Sequence, residues 1–113
     1  MSTEPKVRVT RYEVNLLPES YGEAYHWTIG VEYRGKGKWA VCHFGECLGS
    51  DGEWDYEPRP SSRTDEWTAT HRFDMETALA LASEHAPKVS VNGLTPADIL
   101  ARHPELAEAG NGR

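Results

Sequence analysis

Both cysteines of the chain and a row of acids share one stretch, CHFGECLGSDGEWDYEP, residues 42 to 58. His43 follows Cys42, Cys47 comes four residues after that histidine, and Asp51, Glu53, Asp55 and Glu57 alternate with Gly52, Trp54, Tyr56 and Pro58. Residues of these types could bind a metal, activate a thiol or hold calcium. Structural zinc takes four ligands, commonly paired cysteines from a tight knuckle and two more from elsewhere. The other histidines, His26, His71, His85 and His103, lack the paired spacing of a zinc finger. On a strand, Cys42 and His43 point to opposite faces. The reading therefore assigns no metal ligands and no cofactor. Counted from Asp51, the sixth and twelfth positions of a calcium loop would be Tyr56 and Ser62, where that loop needs Gly and Glu.

A nucleophilic cysteine needs a base or a helix N-terminus to hold its thiolate. His43 is on the wrong face for this, whereas His71 is far enough along the chain to approach in three dimensions. The sequence has no Gly-x-Ser-x-Gly elbow, phosphate loop, His-Glu-x-x-His or dinucleotide glycine fingerprint. No catalytic residue is assigned.

Read as a strand, the acids face outward over ~20 Å while Trp54 and Tyr56 face inward. Like charges in a row repel, so cations should lie beside them. Lys36, Lys38, Arg59 and Arg63 are the local candidates. Such a face can protect a sheet edge, or dock a basic partner by imitating nucleic-acid phosphates. Asp51, Glu53, Asp55 and Glu57 are the candidate interaction residues. Trp67, close in sequence to Arg63 and Arg72, joins them as a candidate anchor; the alternative is that it caps the core.

The elements around this stretch follow from hydrophobic periodicity. Residues 6 to 17 read as a first strand, with a bulge near Arg11 bringing Val7 and Val9 onto the same face as Tyr12, Val14 and Leu16. Residues 25 to 34 alternate cleanly, with Trp27, Ile29, Val31 and Tyr33 inward. The glycines of RGKGK suit a tight hairpin turn. A third strand runs from Lys38 toward Leu48, GSDG turns the chain, and EWDYE forms a short fourth strand that PRP closes. Trp27 and Trp39 fit opposed hairpin positions in the core. The segment SSRTDEWTATHRF reads as a short helix capped by Thr64 or Asp65, with a strand as the alternative because it holds three Thr. Asp74 caps a firmer helix that Pro87 stops, with Ala78, Leu79 and Ala82 as its apolar stripe. KVSVNG suggests a short further strand. Thr95 and Pro96 open a last helix. Strands followed by helices predict an α+β fold: an antiparallel meander of three to five strands in the N-terminal two thirds, packed on by two or three short C-terminal helices. Residues 1–103 are expected to form one domain and 104–113 a frayed tail.

The chain has 113 residues, enough for one modest core. Its net charge of −6 argues against a global basic footprint for nucleic acid. No apolar run approaches a membrane span and the N-terminus has no secretory core, so a cytoplasmic protein with reduced thiols is expected.

GSDGEWDYEPRPSSRTDEWTATHRFD and TALALASEHAPKVSVNGLTPADIL resemble small uncharacterised proteins carried by actinobacteria and their phages. That resemblance covers most of residues 7 to 101. It implies no activity and no site residues, but it does imply an accessory protein of phage or mobile-element origin that acts by binding another macromolecule. The leading expectation is a non-enzymatic interaction or regulatory protein whose acidic strand face binds a basic protein partner. One rival is a small thiol/His enzyme or redox sensor using Cys42 or Cys47 with a nearby histidine. Another is a nucleic-acid-binding module using Arg8, Arg11, Arg34 and Lys36.

Overall fold

The computed structural model describes residues 3 to 106. Five strands, β1 (Arg11–Val14), β2 (Ile29–Gly35), β3 (Lys38–His43), β4 (Glu46–Leu48) and β5 (Trp54–Tyr56), form one antiparallel sheet in sequence order. Three helices follow: α1 (Asp65–His71), α2 (Met75–His85) and α3 (Pro96–Arg102). The fold is α+β, as the periodicity predicts. Among the described residues no helix is long and apolar enough to cross a membrane.

β2 anchors the core. Ile29 and Val31 are fully buried; in register on β3, Val41 faces Val31 and Trp39 faces Tyr33. Helix α2 lies across β1, β2 and β3 and buries Ala78 and Ala82 against them. Small side chains there let the helix backbone approach the sheet closely. Thr64, Asp74 and Thr95 accept from backbone N–H groups at the starts of α1, α2 and α3, and Asp98 completes a capping box with Thr95. These caps satisfy donors that a helix start leaves open. Trp27 is buried in a 3₁₀ turn over Ala24–Trp27 ahead of β2, and its indole N–H donates to the Leu94 carbonyl at 2.9 Å. It therefore ties the sheet to the approach of α3 and does not oppose Trp39, whose partner on β2 is Tyr33.

Several expectations need correction. The first strand is short. Val7 is 100% exposed, Val9 and Leu16 are also exposed, and no bulge returns them to the core. β1 lies at the sheet edge, and the Asn15 side chain ends it by accepting from Leu17 N and donating to Ala24 O and Thr28 Oγ1. This turn buries Leu17 in place of Leu16. The expected third strand is two strands, folded at Phe44 and Gly45. KVSVNG makes only a Val91–Leu94 bridge closed by Asn92 and Gly93 at positive φ. Tyr56 is 75% exposed because β5 lies at the far sheet edge from β1, beyond the strands that α2 covers. The domain also extends past 103: the backbone is helical over 104–106, and Leu106 is buried in the core. The rest of the expected tail lies outside the described residues.

Candidate functional site: a cross-strand thiol pair on a charged sheet face

The fold at Phe44 and Gly45 creates the site. His43 and Glu46 close a two-residue hairpin loop whose central residues have φ of 49° and 80°. Positive φ at both positions is what a type I′ turn requires. The next pair along the ladder is Cys42 opposite Cys47. In an antiparallel ladder a pair adjoining the closing hydrogen-bonded pair is non-hydrogen-bonded, and its side chains are closer. The two sulfurs stand 3.6 Å apart. Both cysteines are free thiols, Cys42 half-buried and Cys47 fully buried.

Pairing also decides what surrounds them. Gly30 of β2 is opposite Cys42, and Asp55 of β5 is opposite Cys47. By alternation Glu32, Arg34 and Glu57 share this face, away from the Ile29–Val31 core. Arg34 donates to both oxygens of Glu57 at 3.0 and 2.9 Å and to Glu32 at 3.1 Å. One of its nitrogens also lies 3.6 Å from Cys42 Sγ. Arg63 and Arg72 reach Glu57 at 3.0 and 2.7 Å. Arg11 pairs with Glu32 and Glu13, continuing the charge ladder to β1. A Gly30 side chain would collide with this ladder, since an added Cβ would sit 2.5 Å from an Arg11 nitrogen.

The electrostatics separate the thiols. Cys42 is held below an ordinary thiol, first by its hydrogen bond with Cys47 and then, against the cost of burial, by the Arg34 charge; Glu32 and Glu57 push the other way. Cys47 is pushed up by that same hydrogen bond, by burial and by the Cys42 charge. When one proton is lost from the pair, Cys42 carries the thiolate and Cys47 donates to it. Glu57 is held down to about 2, chiefly by its paired hydrogen bonds to Arg34.

The expected acidic row does not exist as one free face. Asp51 lies in the turn and accepts from Glu53 N, while Glu53 itself is exposed before β5 begins. Asp55 is bonded to His71 Nε2 at 2.8 Å. The Glu57 side chain is only 17% exposed, beneath three guanidiniums. Of the cations anticipated beside the row, Arg63 is there; the other two, Arg34 and Arg72, come from distant sequence. Trp67 is half-buried and stacks on His71 with ring centroids 4.1 Å apart, and the Arg72 guanidinium lies 5.1 Å from its ring centre.

His71 does not serve the thiols as a base. Its Nε2 meets Asp55, and its Nδ1 meets the Trp67 carbonyl at 2.8 Å and the Thr70 hydroxyl at 2.9 Å. The group beside Cys42 is Arg34, which stabilises a thiolate without accepting its proton. Arg11 and Arg34 are also committed to carboxylates, so the four-residue basic cluster does not assemble as a free patch. Cys42, Cys47 and Glu57 place ligand atoms within 4.8 Å of one another. That set supplies three donors where zinc usually takes four, and an ion there would have to displace Arg34, Arg63 and Arg72 from the carboxylate.

Sequence reasoning missed the cysteine pairing and the roles of Arg34 and Arg72. One signal for the pairing was present: Cys-His-Phe-Gly-Glu-Cys is symmetric about Phe44–Gly45, so a two-residue turn there sets the cysteines opposite each other. No family model, curated protein or solved structure matches this chain.

Proposed function

We propose that the protein is a small non-enzymatic regulatory protein, a thiol-based redox sensor whose Cys42–Cys47 pair cycles between dithiol and disulfide. The observation that carries this reading is the 3.6 Å approach of the two sulfurs across a non-hydrogen-bonded strand pair, with Arg34 beside the more accessible one. Disulfide formation needs Cα atoms within ~4.4–6.8 Å, a range that includes the ~4.5 Å typical of this strand position. A lowered thiolate next to a guanidinium is the microenvironment of a reactive cysteine. Arg34 lies against Cys42 and is itself held by Glu57.

This reading needs a reducing compartment, the cytoplasm, in which both thiols rest reduced. The suggested phage or mobile-element origin rests on the sequence resemblance alone. Binding through a row of free acids loses its support, because Asp55 and Glu57 are engaged within the fold.

The test is stoichiometric oxidation of the reduced protein with diamide, followed by intact-mass analysis and peptide mapping. The expected product is a monomer lighter by two hydrogens, bridged between Cys42 and Cys47 and restored by dithiothreitol. Unbridged thiols, or intermolecular dimers without that bridge, would overturn the reading.

A further inference from the structure

Beside the sulfur pair lies an open groove of about 330 Å³, with Cys42 among its lining residues. Cys47 is fully buried and does not line it. Anything that enters can therefore meet only one of the two sulfurs. The exposed rings of Tyr25 and Phe44 belong to this groove, as do Arg11, Glu13 and Glu32. Arg11 bridges the two carboxylates, so a cation and two anions are presented together. Arg34 lies behind Cys42, outside the lining, and its charge is already met by two hydrogen bonds to Glu57. The groove itself thus presents fixed groups of both signs side by side, Arg11 against Glu13 and Glu32. A zwitterion fits this arrangement: its carboxylate can take a guanidinium from Arg11 and its ammonium can take Glu13 or Glu32. The aromatic walls suit the methylene and sulfur atoms of the same molecule.

On the reading that the cysteine pair cycles, we propose that this groove binds a low-molecular-weight disulfide of a zwitterionic amino-acid thiol, which reacts at Cys42 and is resolved by Cys47. The Cys42 thiolate attacks one sulfur of the incoming disulfide. A protein–ligand S–S bond forms, the ligand's own S–S bond breaks, and the released thiolate takes a proton from solvent. The Cys47 sulfur then attacks Cys42 Sγ, the bond from Cys42 to the ligand sulfur breaks, and the Cys47 proton passes to the departing ligand thiolate. The second ligand molecule leaves as a thiol and the Cys42–Cys47 bridge remains. The protein dithiol is oxidised by two electrons, and the ligand disulfide is reduced to two thiols. The order of attack follows from access and charge. Cys42 is the accessible thiol of the pair; Cys47 is held protonated first by its hydrogen bond to Cys42, then by burial and by the Cys42 charge, and the hydrogen bond and the charge are both lost once Cys42 enters the mixed disulfide.

The experiment uses four probes: cystine (zwitterionic), cystamine (cationic), dithiodiglycolate (anionic) and hydroxyethyl disulfide (neutral). Each rate with the reduced protein is divided by the rate of the same probe with a free small thiol, which removes intrinsic differences between leaving groups. Cystine should be preferred at least fivefold over each of the others. An Arg11→Gln, Glu13→Gln double variant should lose that preference while still forming the bridge with diamide. In Cys47→Ala the cystine adduct should accumulate on Cys42. Equal normalised rates, or an adduct on Cys47 in Cys42→Ala at the wild-type rate, would overturn the groove assignment while leaving the cycle intact. Failure of diamide to form the bridge would overturn the cycle, and this inference with it.

Discussion

Arg34 is the side chain on which the thiol chemistry turns. It holds Glu57 with two hydrogen bonds and approaches Cys42 at 3.6 Å, so one guanidinium both orders the sheet face and lowers the thiol. Replacing it with Gln removes the positive charge and leaves Glu32 and Glu57, both of which raise the thiol, as the charged neighbours of Cys42 on this face. Arg34→Gln should therefore move the pH midpoint of Cys42 alkylation upward and slow alkylation at pH 7 by roughly three- to tenfold. Iodoacetamide kinetics between pH 5 and 10 measure this. An unchanged midpoint would mean that the sulfur pair alone sets the reactivity. The sequence points to a histidine for this role; the group beside Cys42 is instead Arg34 of β2, eight residues away along the chain and adjacent through strand pairing.

At the scale of the element, the β3–β4 hairpin makes the site and carries a cost. Phe44 adopts φ of 49°, a region that bulky residues rarely enter. Asn tolerates this conformation and is a preferred residue of such turns. Phe44→Asn should raise stability by about 1 kcal/mol, the scale of strain at a left-handed non-glycine residue, as read from the urea midpoint at constant slope. It also removes one aromatic wall of the groove, so the cystine preference should fall as stability rises. The same geometry explains why the hairpin was not legible. Phe-Gly is a weak turn signal beside Asn-Gly or Asp-Gly, and the residues from Lys38 to Leu48 contain no proline to break the run. Where turn and cap chemistry was strong the reading held. The turn within RGKGK, the Asp74 cap and the Thr95 cap all lie where composition puts them.

For the whole molecule, Glu57 is the junction between sheet and helices. It joins Arg34 on β2, Arg63 before α1 and Arg72 after α1. Its folded value of about 2 lies below the ordinary 4.5. A carboxyl depressed by folding contributes stability that is fully present above its unfolded value and is lost as pH falls through the folded one. Stability should therefore hold from neutral pH down to about 4.5 and drop by about 1–2 kcal/mol toward pH 2 after allowance for solvent screening. Urea titrations across that window measure the slope. Glu57→Gln should be less stable at pH 7, because Arg72 is buried and loses its carboxylate, and should show a flatter acid dependence. A variant with the wild-type slope would place the acid sensitivity elsewhere.

The sequence by itself determined the α+β class, the meander order, the helix starts and most of the core. Each of these follows from local pattern: alternation along a strand, a cap at a helix start, proline where a helix stops. Tertiary structure alone decided the site. Which sulfur meets which, which arginine lies beside a thiol and which acids remain free all depend on strand register and on contacts between distant segments. A single two-residue turn at Phe44–Gly45 changes all of them together, because it sets what stands opposite each side chain in the ladder.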